Sequence, residues 1–481
     1  MKTIYLVHPK TIGTIAPEIY GHFSEQIGGV FYDGLWVGKD SHIPNIGGFR
    51  KELVEKLKAI HPPVLRWPGG CFAETYDWRD GIGENRPVRR NWWTPWDNRL
   101  EDNAVGTHEF LRLCELIGAK PYFAANLTSV TPMHIRNWMD YCLSPRGTTT
   151  LAKEREENGH AEPYDIPYWG VGNENWGGGG NMRPEFYTDE YRRFAELMHN
   201  AAPDVQLFVC GSNGPDYAWT HGVMPGLKAS EKLVNGFAMH YYCGKAGDPL
   251  TFTTEEWYKQ LQQAQKMEEI ILRNWAIICG HGMQEKCGLV VDEWGCWHPD
   301  GSGPIKGYNL FEQQSTMRDA MVTALTLHIF NRHCDKVKMA NVAQTVNNLH
   351  CLFLAGGENF TVTPTYHVFD LFKGHQGAAC IETVVTDNDD FGSSLTVSAS
   401  VKDGKTLVTV GNLSCEEDAV FSLASVGVEL PAAATTKLLA HEDMHAHNTF
   451  EEPNTVQVQT FSLDPRQPIT IPKAGIMAIE F

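Results

Sequence analysis

The chain has 481 residues and a formal net charge of −18, from 58 Asp and Glu against 40 Lys and Arg. That balance disfavours nucleic acid and anionic membrane surfaces as partners and suits a neutral small substrate. With 42% hydrophobic residues the chain can bury a sizeable core, which excludes a disordered polypeptide, and the length suits a barrel-sized domain with a smaller module.

The N-terminal apolar run, Ile4 to Val7, is too short for the core of a signal peptide, and no stretch reaches the apolar length of a membrane span. The sequence reads as cytoplasmic. Its 12 cysteines are scattered, with no C-x-x-C pair, and most read as reduced core residues. H-E-x-x-H, P-loop and G-x-S-x-G patterns are absent, so neither a metal nor another cofactor is expected. In a cytoplasmic protein the sequons at Asn126, Asn359 and Asn412 carry no weight.

From about residue 17 to 375, short apolar runs alternate with longer amphipathic segments. Eight strands are expected, at 18–25, 64–70, 120–127, 167–174, 206–213, 234–242, 286–295 and 337–347. Helical patterns lie between most of them. One places Phe49, Leu53, Leu57 and Ile60 on a single face, and another covers Met317 to Phe330. The weakest connection is the fifth to sixth, with a short helical pattern around Met224 to Lys232. Eight alternating units predict an α/β fold, a closed (β/α)8 barrel, whose active site lies at the C-terminal ends of the strands. After residue 375 the period becomes two, and turns such as Asp403-Gly404 separate the runs. This predicts a C-terminal antiparallel β-sandwich, jelly-roll-like, over 376–481 after a catalytic barrel over 14–375. The N-terminal strand in 1–13 is expected to join the sandwich.

Two carboxylates stand where apolar strands meet the barrel mouth: Glu174 in YWGVGNENWGGGG and Glu293 in LVVDEWGCW. By count these are the fourth and seventh strands, on roughly opposite sides of the rim. Cleavage of a glycosidic bond needs two such acids facing one another, one to protonate the leaving oxygen and one to attack or to activate water. Asn173 can hold a sugar hydroxyl, and Tyr242 can hydrogen-bond the nucleophile. Asp292 should point the opposite way along its strand and is read as structural. Arg66 is placed to organise the carboxylates from below. Gly69 and Gly70 allow a tight turn and close backbone approach. The four glycines 177–180 read as a mobile lid segment rather than a phosphate cradle.

Tryptophans cluster near these points. Trp67, Trp169 and Trp294 read as core, whereas Trp96 and Trp297, in expected loops, can stack on a sugar ring.

The segments GHFSEQ (21–26), RWPGGCF (66–72), GVGNEN (170–175), HYY (240–242) and DEWG (292–295), with Gln344 in NVAQTVN, resemble the α-L-arabinofuranosidases of glycoside hydrolase family 51. The resemblance spans barrel and sandwich. It implies a retaining, exo-acting enzyme that releases terminal arabinofuranose from arabinofuranosyl oligosaccharides. It implies Glu174 as acid/base, Glu293 as nucleophile, and Glu25, Asn173 and Gln344 as sugar contacts. Tyr242 would position Glu293, while Trp96 and Trp297 would shape the pocket. Cys71 stands where many members carry Asn, and a thiol is the poorer hydrogen-bond partner. The family typically forms hexamers and needs no metal. An endo-β-glucanase or β-xylosidase with the same carboxylate pair is the alternative enzyme reading. A non-catalytic carbohydrate-binding protein would have lost one carboxylate, and both are present.

Overall fold

The computed structural model describes residues 1–299, 301–305 and 310–481. Eight parallel strands close into a barrel: Gly21–Phe23, Val64–Trp67, Lys120–Ala125, Tyr168–Val171, Gln206–Asn213, Gly236–Gly244, Gly288–Trp297 and Val337–Ala343. Each falls within or beside one of the expected runs. The first is the shortest, because Pro17–Tyr20 forms a 3-10 turn before it. Proline supplies no backbone N–H to a ladder and suits a first helical turn.

Helices fill most of the connections. Lys51–Ile60 buries Leu53, Val54, Leu57 and Ile60, but Phe49 lies outside it, on the two-residue strand Phe49–Arg50. The fifth-to-sixth connection holds a full helix, Tyr217–Lys228, started by the Asp216 side chain accepting from the Trp219 N–H. The expected segment began seven residues too late. Thr220, His221, Gly222 and Pro225 break the apolar period there, although Trp219, Val223, Met224 and Leu227 are buried. The helix Met317–Arg332 is buried at every position from Met317 to Asn331, so it has no polar stripe and is not amphipathic.

The chain divides into two units: Gly21–Tyr241 with Ile270–Glu293, and Met1–Tyr20 with Tyr242–Glu269 and Trp294–Phe481. In the first, aromatic rings make a continuous core. Trp67 stacks on Phe110 at 4.9 Å, Phe123 on Trp138 at 4.8 Å, and Trp138 meets Trp169 edge-on at 5.4 Å. Trp67 and Trp169 are therefore core residues.

In the second unit, nine strands form one sheet whose inward side chains share a single cluster, including Ile4, Leu6, Val397, Val408, Phe421, Ile471 and Ile479. The N-terminal strand Lys2–Thr14 pairs antiparallel with Ala379–Val385 and parallel with Ala419–Val426. That parallel pair departs from the antiparallel pattern. Its two strands are joined by the whole intervening chain, not by a hairpin, so either direction is open to them.

Candidate active site

Glu174 follows the strand Tyr168–Val171 and takes a left-handed backbone, φ +44°, which is uncommon for a residue with a side chain. The chain holds it there. The Glu174 carbonyl accepts from the N–H groups of Gly177 and Gly179, at 2.7 and 3.0 Å. Within the glycine run that the sequence reads as a lid segment, Gly178 and Gly179 sit in tight packing. A Cβ on Gly179 would lie 1.6 Å from the Asn173 carbonyl oxygen, and one on Gly178 would lie 2.6 Å from Cys71 Sγ. Glycine is needed at these two positions for close packing.

Glu293 lies within the strand Gly288–Trp297. One carboxylate oxygen of each Glu and a ring nitrogen of His240 lie within 4.8 Å of one another. His240 Nδ1 is 2.8 Å from Glu174 Oε1 and 3.5 Å from Glu293 Oε2, and its Nε2 is 3.2 Å from Asp292 Oδ1. Burial by itself would lower the His240 pKa, but Glu293 and Asp292 together outweigh it and lift the ring to about 10. These charges favour the protonated ring.

Arg66 is the second cation. Its Nη1 donates to Glu293 Oε1 at 2.8 Å, Nη2 donates to Asn173 Oδ1 at 2.7 Å, and Nε lies 3.4 Å from Asp292. Burial pulls its pKa down, and the charges of Asp292 and Glu293 more than reverse that. Asp292 also accepts from Tyr122 Oη at 2.8 Å. Asp292 and Glu293 thus reach the same two cations, although strand alternation suggests opposite faces. The reason is the length of the partners: a guanidinium fork and an imidazole ring each span two side-chain levels.

With its Oδ1 taken by Arg66, Asn173 leaves Nδ2 buried and without a hydrogen-bond partner among the described residues. It is a donor in want of an acceptor. Glu25 accepts from the Phe72 N–H at 3.0 Å and from Trp93 Nε1 at 2.9 Å. Burial, with the charge of Glu293 second, raises the Glu25 pKa to about 7. Cys71 Sγ lies 3.8 Å from Glu174 Oε2, and burial pushes its thiol far up. A Cβ on Gly70 would meet Glu293 Oε1 at 2.9 Å and Asn173 Nδ2 at 3.4 Å, so Gly70 is backbone pressed against the carboxylate. Below, Glu74 accepts from the backbone N–H groups of Asn173, Leu127 and Thr128 and ties three segments together.

Six residues singled out in the sequence therefore meet in one unit: Glu25, Arg66, Cys71, Asn173, Glu174 and Glu293. Trp96 does not join them. It is 60% exposed and packs on Trp92 and Trp93, and the indole bonded to Glu25 is that of Trp93. Three closely spaced tryptophans gave no way to choose between them by pattern. In the other unit, Tyr242 meets Trp297 edge-on at 5.3 Å, Trp297 meets Phe311 at 4.8 Å, and Gln344 is buried. His240, Tyr122 and Glu74 were not among the expected site residues. Of these, only His240, at a strand end in HYY, carried a signal.

Comparison with known proteins places the chain in a family. Residues 56–266 match the family model of the α-L-arabinofuranosidase 1 domain, and residues 292–473 that of the α-L-arabinofuranosidase C-terminal domain. An intracellular exo-α-L-arabinofuranosidase of Bacteroides ovatus is 37% identical over 463 residues, covering 93% of this chain and 88% of that protein. The chain belongs to the family 51 α-L-arabinofuranosidases. It is a glycoside hydrolase. The family 51 arabinofuranosidase of Xanthomonas axonopodis pv. citri superposes with a TM-score of 0.93 at 35% identity, covering 100% of this chain and 99% of that one. The α-L-arabinofuranosidase of Thermotoga maritima, solved as an arabinose complex, gives 0.88 at 27% identity, with full coverage of both. The barrel and sheet domain of this chain are those of the family. Among the described residues, no helix is long and apolar enough to cross a membrane.

Proposed function

We propose that this chain is a retaining, exo-acting α-L-arabinofuranosidase that works by double displacement, with Glu174 as acid/base and Glu293 as nucleophile. The observation that carries the reading is the short reach between the two carboxylates, whose nearest described oxygens lie within 4.8 Å. Retaining pairs stand about 5–5.5 Å apart, whereas inverting pairs leave room for a water at about 6.5–9.5 Å.

In the first step Glu293 attacks the anomeric carbon opposite the leaving group, and Glu174 gives its proton to the departing oxygen. Arg66 donates to Glu293 Oε1 and so fixes the direction of the carboxylate and favours its charged form. In the second step Glu174, now a carboxylate, takes a proton from water on the vacated face, and the glycosyl ester is hydrolysed. The unpartnered Asn173 Nδ2 and the carboxyl of Glu25 suit the ring hydroxyls. Tyr242, Trp297 and Gln344 are proposed as further sugar contacts. An exo mode agrees with the name of the Bacteroides relative. The names of the relatives do not favour a glucanase or xylosidase. A hexameric assembly and a cytoplasmic location belong to the same proposal.

Proton NMR of the first-formed sugar tests the stereochemistry. An α-arabinofuranoside should first release the α-anomer, and initial release of the β-anomer would overturn Glu293 as nucleophile. With Glu174→Ala, glycosylation from oligosaccharide should fall by orders of magnitude more than from an activated aryl arabinofuranoside, whose leaving group departs without a proton. Azide should then restore aryl turnover. Equal losses on both substrates would remove Glu174 from the acid role, and an aryl xyloside outrunning the arabinofuranoside would change the substrate.

A further inference from the structure

Glu74 is fully buried and has no part in the two steps above, yet it lies against the turn that carries Glu174. It sits on the 3-10 turn Cys71–Thr75, which follows Gly70. Its Oε1 accepts from the Asn173 N–H at 2.6 Å and from Asn175 Nδ2 at 3.0 Å. Its Oε2 accepts from the N–H groups of Leu127 and Thr128, each at 2.8 Å. Each oxygen thus faces two donors, and three of the four are backbone groups whose direction is fixed. Burial raises the Glu74 pKa, and the backbone donors oppose that shift. Asn173 and Asn175 flank Glu174, whose φ of +44° persists only while its surroundings hold it. The far side of the turn is tied to the same place, because Asn175 Nδ2 and Thr128 Oγ1 both donate to the Gly179 carbonyl at 2.6 Å.

We propose that Glu74 is the positioning residue of the acid/base: by gathering the segments Leu127–Thr128 and Asn173–Asn175 onto one carboxylate, it holds Glu174 where the leaving oxygen departs. The inference rests on Glu174 being the acid/base. Glu74 acts through Asn173 and Asn175 and not on the sugar. A neutral amide cannot replace the carboxylate. Whichever way a glutamine side chain turns, its NH2 faces the N–H of Asn173 on one side or those of Leu127 and Thr128 on the other. A donor set against a donor pushes the segment away. Misplacing a reacting group by about 1 Å costs roughly 10²-fold. The loss falls on proton donation, so it grows with the need of the leaving group for a proton.

The test compares kcat/KM on an arabinofuranosyl oligosaccharide with kcat/KM on an activated aryl arabinofuranoside. Both come from one preparation, so any unfolded fraction cancels in their ratio. Glu74→Gln should widen the ratio of aryl to oligosaccharide by roughly tenfold or more over the parent. Asn175→Ala loses the one side-chain donor and keeps the three backbone donors, so it should widen the ratio in the same direction by a smaller factor. It carries the test alone if Glu74→Gln gives no folded protein. An unchanged ratio in the variants that fold would make Glu74 a structural residue only and overturn the proposal. If Glu174→Ala splits the two substrates and these variants do not, this inference alone fails. If Glu174→Ala shows no split either, the acid/base assignment beneath it fails.

Discussion

His240 Nδ1 lies 2.8 Å from Glu174 Oε1, and the same ring reaches the buried carboxylate of Asp292 through Nε2 at 3.2 Å. One ring thereby sets the direction of Glu174 and offsets the charge of Asp292. His240→Gln removes the cation and leaves Asp292 buried with Arg66 as its remaining charged partner. Misplacement of a reacting group by about 1 Å costs roughly 10²-fold. We expect kcat to fall by about that factor with a smaller change in KM. Steady-state kinetics on an aryl arabinofuranoside checks this, and a loss confined to KM would make His240 a binding residue only.

Gly70 is pressed against the nucleophile. Gly70→Ala places a methyl 2.9 Å from Glu293 Oε1 and 3.4 Å from Asn173 Nδ2. The strain falls on atoms that the mechanism uses, and the surrounding core is untouched. We expect kcat/KM to drop by more than tenfold while the melting temperature moves by only a few degrees. A fully active Gly70→Ala enzyme would show that the pocket is looser than this geometry.

Glu25 carries a pH signature in stability. Its pKa is raised to about 7 in the folded state by burial and by Glu293, against an ordinary value of 4.5. Between these values the folded protein holds the proton more tightly than the unfolded chain. The contribution is fully present at low pH and is lost as pH rises from 4.5 through about 7. Glu25→Gln has no proton to lose. The melting temperature of the variant relative to the parent should therefore climb as pH goes from 5 to 8. Thermal scans of both proteins across that range check it, and a constant difference would contradict it.

His375 has the opposite sign. Its Nδ1 and Nε2 meet the hydroxyls of Ser400 and Thr409 at 2.7 and 2.8 Å, and burial lowers its pKa from 6.5 to about 3. His328, bonded to Thr396 and Thr409, is depressed in the same way. Between pH 6.5 and 3 the unfolded chain binds the proton and the folded protein does not, so stability falls as the solution is acidified. At pH 5 the His375 contribution lost is about 2 kcal/mol. A His375→Gln variant, less stable at pH 8, should close the gap on the parent by about that amount at pH 5. Denaturant titrations at the two pH values measure it.

The residues by themselves determined the architecture and singled out two carboxylates that the fold brings close together. Strand and helix periods are local, and eight alternating units leave few closed folds. Glu174 and Glu293 stood out because a carboxylate set against an apolar run is costly unless it is used or paired. Short-range pattern failed where burial is complete or the period is broken. The helix Met317–Arg332 has no polar face to mark it as amphipathic, and Tyr217–Lys228 is interrupted by Gly222 and Pro225. Only the tertiary structure decided that Trp93 and not Trp96 reaches Glu25, that Asp292 shares Arg66 and His240 with Glu293, and that Gly178 and Gly179 press against Cys71 and Asn173. Each of these depends on which side chains from distant strands arrive at the same point, and on distances of a few tenths of an ångström. Residue type and spacing along a chain do not carry that information, because hydrogen bonds and close packing are set by positions in space.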